Sequence, residues 1–203
     1  MTERAADAKA SVPVWLPNAL TVLRLALVPV FVVLLFLHPA DLGWRLAATV
    51  AFGLAILTDY FDGSLARKHN LVSDFGKIWD PIADKALTGA AFISLSVLNE
   101  LPWWVTIIIL VREWGITWMR VAMLKYGVMA AAAGGKLKTL LQAIALLMFL
   151  PYPIDQTMAV APFWGWLAWL VMGAAFVLTA VTGVMYVFEA LRLKAAATAK
   201  PEK

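Results

Sequence analysis

Six long apolar runs separated by short polar breaks organise the chain, at residues 19–37, 43–66, 74–98, 102–125, 136–150 and 162–191. Each reaches or approaches the roughly 20 residues that carry a helix across a hydrocarbon core. The pattern predicts an all-α integral membrane protein of six transmembrane helices. Residues 1–17 then form a polar tail and interfacial segment, 18–193 a single membrane domain, and 194–203 a polar C-terminal tail. Trp15, set between Pro13 and Pro17, suits a segment lying at the membrane surface. The first run is no signal peptide on this reading, because Arg24 interrupts it and no small-residue cleavage site follows. Neither an internal repeat nor the inverted symmetry of many transporters is visible.

Composition agrees with the pattern. Hydrophobic residues make up 63% of the chain, Trp occurs ten times and Cys is absent. Disulfide and thiolate chemistry are excluded, and two isolated histidines, His38 and His69, make no zinc site. A net charge of +4 would suit nucleic acid in a soluble protein, but here its distribution sets orientation. Arg67, Lys68 and His69 follow the second run, Lys125, Lys136 and Lys138 surround the break after the fourth, and Arg192, Lys194, Lys200 and Lys203 end the chain. The alternate breaks, 38–42, 99–101 and 151–161, contain no Lys or Arg. Both termini and the 67–73 connection are therefore expected on the cytoplasmic side.

Against this apolar background the stretch 58–85 stands out, with Asp59, Asp62, Asp80 and Asp84 in two clusters. On a helix, Asp59, Asp62, Gly63, Ala66 and Arg67 share an arc of about 140°, and Gly76, Asp80 and Asp84 one of about 80°. Folding the two helices back around residue 71 brings Asp62 level with Asp80 and Asp59 level with Asp84. Helix capping needs only one Asp per helix start, not a face of two carboxylates backed by small residues. Four like charges in low dielectric must take up protons or bind cations. All-oxygen ligands select hard divalent ions, Mg²⁺ or Mn²⁺ first, and four carboxylates balance two of them.

Other charges also lie where a membrane protein places them at a cost. Arg112 and Glu113 fall deep in the fourth run, and Arg120 stands about 80° around the helix from Arg112, so both arginines can face one cleft. Lys136 and Lys138 open the fifth run behind Gly134 and Gly135. Cations beside an acidic metal site suit a substrate with phosphates on both of its parts. Glu113 can pair with a neighbouring Arg, while Lys77 and Lys85 point off the carboxylate face and are expected as charge balance or interface anchors. Asn18, Thr21 and Arg24 put an amide, a hydroxyl and a guanidinium at the start of the first run, where Asn18 can also serve as an N-cap.

Asp59-x-x-Asp62-Gly63-x-x-Ala66-Arg67, eight residues, then Gly76-x-x-x-Asp80-x-x-x-Asp84 resembles the signature of the CDP-alcohol phosphotransferase family, with every fixed position at the family spacing. The resemblance implies transfer of the lipid- or alcohol-bearing phosphoryl group of a CDP-linked donor to an alcohol, with release of CMP. It implies donor binding by Asn18, Thr21, Arg24, Asp62, Gly63, Ala66, Arg67 and Gly76, metal binding by the four aspartates, and Asp84 as base. Residues 16–31, 111–120 and 135–139 further resemble bacterial members that act on CDP-diacylglycerol and glycerol 3-phosphate, in which case Arg112, Arg120, Lys136 and Lys138 would hold the acceptor phosphate. The shared signature leaves phosphatidylglycerol and inositol phosphate as alternative acceptors. A homodimer in a bacterial cytoplasmic membrane is likewise implied, with small-residue patches at Gly89–Ala91 and Gly173–Ala175 for helix contacts. A divalent-cation transporter is the rival from another class, disfavoured because the nearby Arg and Lys would repel the ion.

Overall fold

The computed structural model describes residues 15–69, 74–123, 126, 135–151 and 161–198; within its helices, the side chains at positions 17, 59–69, 74–78, 80, 81, 197 and 198 lie outside the description. Among the described residues there are six helices and no strand: α1 (Leu16–Leu37), α2 (Leu42–His69), α3 (Asp74–Val97), α4 (Trp103–Met123), α5 (Gly135–Phe149) and α6 (Ala161–Thr198). The apolar runs thus become helices nearly end for end.

Three boundaries differ from expectation, each for a local reason. Trp15 is the N-cap of α1 with Pro17 in the first turn, where its missing N–H costs nothing, so Asn18 lies inside the helix and does not cap it. The basic residues Arg67 to His69 belong to the backbone of α2, not to a turn. Helix α6 continues through Lys194 to Thr198, because the Ala-rich stretch favours helix whatever its surroundings. Most of the expected interfacial segment, residues 11–14, lies outside the described residues.

The ends remote from the aspartates are closely specified. Asp41 caps α2, its Oδ1 accepting the Trp44 amide at 3.0 Å. α3 stops where Asn99 enters the left-handed region at φ 59°, which Asn tolerates better than most residues. That reversal carries Glu100 back to Arg45. Nη1 and Nη2 of Arg45 donate to the two carboxylate oxygens of Glu100, each at 2.6 Å. Its Nε donates to the Leu150 carbonyl at 2.7 Å, and the guanidinium also reaches the carbonyls of Pro39 and Phe149, both at 3.3 Å. One arginine thereby ties together the α1–α2 turn, the α3–α4 turn and the carbonyls that end α5.

α1 packs on α2 and α3, while α6 packs on α4 and α5. A continuous apolar core draws Phe31, Phe52, Phe92, Ile109, Leu146 and Met172 from all six helices. Inside lipid, where apolar contact alone drives helices together weakly, buried hydroxyl and amide bonds add specificity. Ser96 meets Thr106 at 2.7 Å between α3 and α4, and Gln142 Nε2 donates to Thr179 at 2.9 Å between α5 and α6. Gly89 admits α4 closely, a Cβ there falling 3.5 Å from Leu110, whereas Gly173 faces open space.

Large apolar residues stand exposed on every helix, among them Val33, Val50, Ile93, Val111, Leu140 and Val177. Such a surface belongs in lipid. Among the described residues two helices are long and apolar enough to cross a bilayer by composition, Asn18–Leu37 in α1 and Ala161–Ala196 in α6, and α2 contains a shorter apolar stretch, Leu42–Thr58. α3 and α4 fall short of that measure through the charges they carry, and α5 through its length of 15 residues.

Candidate active site

At the end of the bundle where α3 begins and α4 finishes, α3, α4, α5 and α6 enclose a cavity of about 550 Å³. α4 supplies Arg112, Glu113, Thr117 and Arg120, which share an arc of about 140° and so occupy one side of the helix. From α5 come Lys136, Lys138 and Thr139, from α3 Lys85, and from α6 Tyr186. Among the described lining residues, five cationic side chains face a single carboxylate, Glu113.

Glu113 is the hub of the cavity. Its Oε1 accepts Nη1 of Arg112 at 3.2 Å and also the ammonium of Lys138, which is buried at 5% exposure. Its backbone carbonyl receives Nζ of Lys85 at 3.4 Å, and the same ammonium donates to Thr117 and lies 5.3 Å from the Trp114 ring centre. Arg112 spends Nη2 on the Thr182 hydroxyl at 2.7 Å, while its buried Nε has no hydrogen-bond partner among the described residues. Arg120 donates to the Tyr186 hydroxyl. A phosphate entering here would find fixed cations already held apart by neutral and acidic groups, with little reorganisation left to do.

The four cations singled out from the sequence, Arg112, Arg120, Lys136 and Lys138, therefore line one cavity. Asp84 lies on α3 immediately before Lys85 and within electrostatic range of both Lys85 and Lys138, which joins the acidic stretch to the cationic one. Thr21 and Arg24 are on the buried face of α1, the guanidinium at 0% exposure, and α1 packs against the two helices that bear the aspartates. Arg24 is thus no surface charge. Asp59, Asp62, Gly63, Ala66 and Arg67 stand on α2, and Gly76 and Asp80 on α3, but their side chains lie outside the described residues.

Among the described residues no three acidic or imidazole side chains group as a metal site, and the side chains of Asp59, Asp62 and Asp80 lie outside the description. The donor set nevertheless fits a hard cation. Asp59 and Asp62 stand three apart on one helix, and Asp80 and Asp84 four apart on the next, which offers only oxygen ligands at same-face spacing.

Residues 14–191 match the CDP-alcohol phosphatidyltransferase family. The chain belongs to that family. Similar proteins include the "Probable phosphatidylglycerophosphate synthase" of Mycobacterium tuberculosis, 48% identical over 87% of this chain and 82% of the relative. The "CDP-diacylglycerol--glycerol-3-phosphate 3-phosphatidyltransferase" of Bacillus subtilis is 38% identical over 84% of this chain and 92% of that one. The protein of the same name from Rickettsia typhi is 42% identical over 64% and 73%.

Within this CDP-alcohol phosphatidyltransferase, three lining residues of the cavity, Lys85, Glu113 and Tyr186, and Thr182 behind Arg112 escape a reading by helix faces. Lys85, expected to point off the site as an anchor, instead reaches across to α4, because four methylenes carry its ammonium well beyond its Cα position. Glu113 pairs with Arg112 as expected, but also with Lys138, a contact between helices that single-helix spacing cannot show. Tyr186 and Thr182 come from the last helix, whose sequence shows little but hydrophobicity. A signal was present there: Thr179, Thr182 and Tyr186 recur at three and four residues, a polar stripe on an otherwise apolar helix.

Proposed function

We propose that the protein transfers the phosphatidyl group of CDP-diacylglycerol to sn-glycerol 3-phosphate, giving phosphatidylglycerophosphate and CMP. The observation that carries this reading is the cavity lined by five cations, two of which, Lys85 and Lys138, lie within electrostatic range of Asp84. An acceptor that brings its own phosphate needs such charge, and a neutral alcohol does not. The names of the Mycobacterium tuberculosis and Bacillus subtilis relatives describe the same product or reaction.

In this mechanism Arg112, Arg120, Lys136 and Lys138 hold the acceptor's phosphate and leave its terminal hydroxyl towards Asp84. The Asp84 carboxylate takes the hydroxyl proton as the oxygen attacks the phosphorus that bears diacylglycerol. The new P–O bond replaces the bond to CMP, which departs with the electron pair. Asn18, Thr21, Arg24, Asp62, Gly63, Ala66, Arg67 and Gly76 bind the donor, the small residues allowing cytidine against the helix backbones. Asp59, Asp62, Asp80 and Asp84 would hold two divalent cations, Mg²⁺ or Mn²⁺, whose chemistry when bound is to neutralise the diphosphate and the leaving group.

The same proposal takes all six helices across a bacterial cytoplasmic membrane, as a homodimer, with both termini and the aspartates on the cytoplasmic side. The exposed apolar surface of every helix supports the membrane placement, and the Lys and Arg distribution supports the orientation. The deciding experiment gives purified protein CDP-diacylglycerol and Mg²⁺ or Mn²⁺ with glycerol 3-phosphate, inositol phosphate or phosphatidylglycerol in parallel, and measures CMP. Release with glycerol 3-phosphate is expected; release only with either of the others overturns the acceptor assignment.

A further inference from the structure

The acceptor's phosphate is assigned above to side chains of α4 and α5, yet two of these, Arg112 and Arg120, are held from α6. We propose that Thr182, Gly183 and Tyr186 are positioning residues that set the affinity for the acceptor's phosphate by fixing those two guanidinium groups. The proposal rests on the reading of the cavity as the acceptor site and adds a third element to it.

Each contact limits a different freedom of the arginines. The Thr182 hydroxyl donates its proton to the Leu178 carbonyl at 2.7 Å, which leaves its oxygen lone pairs to accept Nη2 of Arg112 at 2.7 Å. Gly183 lets the arginine lie directly on the α6 backbone. A Cβ at this position would meet Cγ of Arg112 at 3.0 Å and Nε at 3.3 Å, closer than side-chain packing ordinarily allows. One turn further, the Tyr186 ring is buried at 5% exposure, with its centre 5.7 Å from the Arg112 guanidinium and 4.6 Å from that of Arg120. Its hydroxyl accepts from Arg120.

The chemistry of this wall matters as much as its shape. Hydroxyls and an aromatic face restrain a guanidinium without cancelling its charge, whereas a carboxylate would compete with the incoming phosphate. A free arginine side chain loses rotamer entropy when it is immobilised. An arginine already seated on α6 has lost most of that before the phosphate arrives.

The test is steady-state CMP release by the purified full-length chain, with the KM of each substrate measured separately for Thr182→Val, Gly183→Ala and Tyr186→Phe. Thr182→Val and Gly183→Ala are expected to raise the KM for glycerol 3-phosphate about tenfold, and Tyr186→Phe about threefold, as for loss or misplacement of one charge-assisted bond. The KM for CDP-diacylglycerol should stay within about twofold in each, and Thr182→Ser should restore the acceptor KM. Tyr186→Phe leaves helix packing intact and supplies the reading should Gly183→Ala fail to fold. An active wild type whose variants keep the acceptor KM, or raise both KM values together, overturns the positioning role alone. A wild type that releases no CMP with glycerol 3-phosphate overturns the proposed function, and this inference with it.

Discussion

Replacing Glu100 by Ala removes one half of the ion pair at the end of the bundle remote from the cavity. The Arg45 side chain is 2% exposed and that of Glu100 15%, so the substitution strands a cation that cannot turn to water. Breaking a buried pair in this way costs about 3–5 kcal/mol. Arg45 keeps three carbonyl acceptors, on Leu150, Pro39 and Phe149, which puts the expected cost at the lower end, about 3 kcal/mol. Glu100→Gln keeps one acceptor of the same shape and removes the charge that burial disfavours, so it should cost well under about 1 kcal/mol. Burial holds the Glu100 carboxyl above its ordinary 4.5, outweighing the hydrogen bond and charge of Arg45, which pull it down. The folded protein then binds this proton more tightly than the unfolded chain. Wild type should therefore gain stability relative to Glu100→Gln as the pH falls from above the folded value, the gain being complete below about 4.5. The assay is detergent-induced unfolding of wild type and both variants across that range, followed by tryptophan fluorescence. A cost below about 1 kcal/mol for Glu100→Ala would show that the pair does not hold the three segments together. A relative loss of wild-type stability on acidification would refute the dominance of burial at Glu100. The acceptor KM should not move in either variant.

Three further outcomes bear on the site. Lys138→Met should raise the KM for glycerol 3-phosphate by about 10- to 100-fold in the CMP assay, and pairing it with Glu113→Gln should recover part of the loss, because the single variant leaves Glu113 to draw on Arg112 alone. Asp84→Asn should reduce turnover by at least about 10²-fold while CDP-diacylglycerol, followed by equilibrium binding, is still retained; near-normal turnover would remove Asp84 as the base. The chain has no Cys, so Pro102→Cys and Ala196→Cys introduce unique thiols, and an impermeant reagent should label them from opposite faces of sealed vesicles.

The two halves of the site depend on different kinds of information. Asp84 and Lys85 are chain neighbours, yet one belongs to the acidic motif and the other to the cationic cavity. In the proposed mechanism their closeness couples proton removal from the acceptor to the charge that holds its phosphate. Glu113 is the compensating element. It offsets the repulsion between Arg112 and Lys138, and in the proposed function it competes with the acceptor's phosphate.

Hydrophobic period and charge spacing are properties of single helices, and what they govern was legible in the chain itself. The six helices, the aspartates three and four apart, and Arg112 and Arg120 on one side of α4 all follow from a repeat of 3.6 residues and from the cost of charge in lipid. Nothing within one helix says how far it is rotated against the next. That rotation brings Arg45 to Glu100 across 55 residues of sequence and seats Arg112 on Gly183 and Thr182 from α6. It also places α4 within reach of the long side chain of Lys85, which the face of its own helix had pointed away. Only the packed bundle decides such pairings, because they form where side chains of separate helices must share one buried volume.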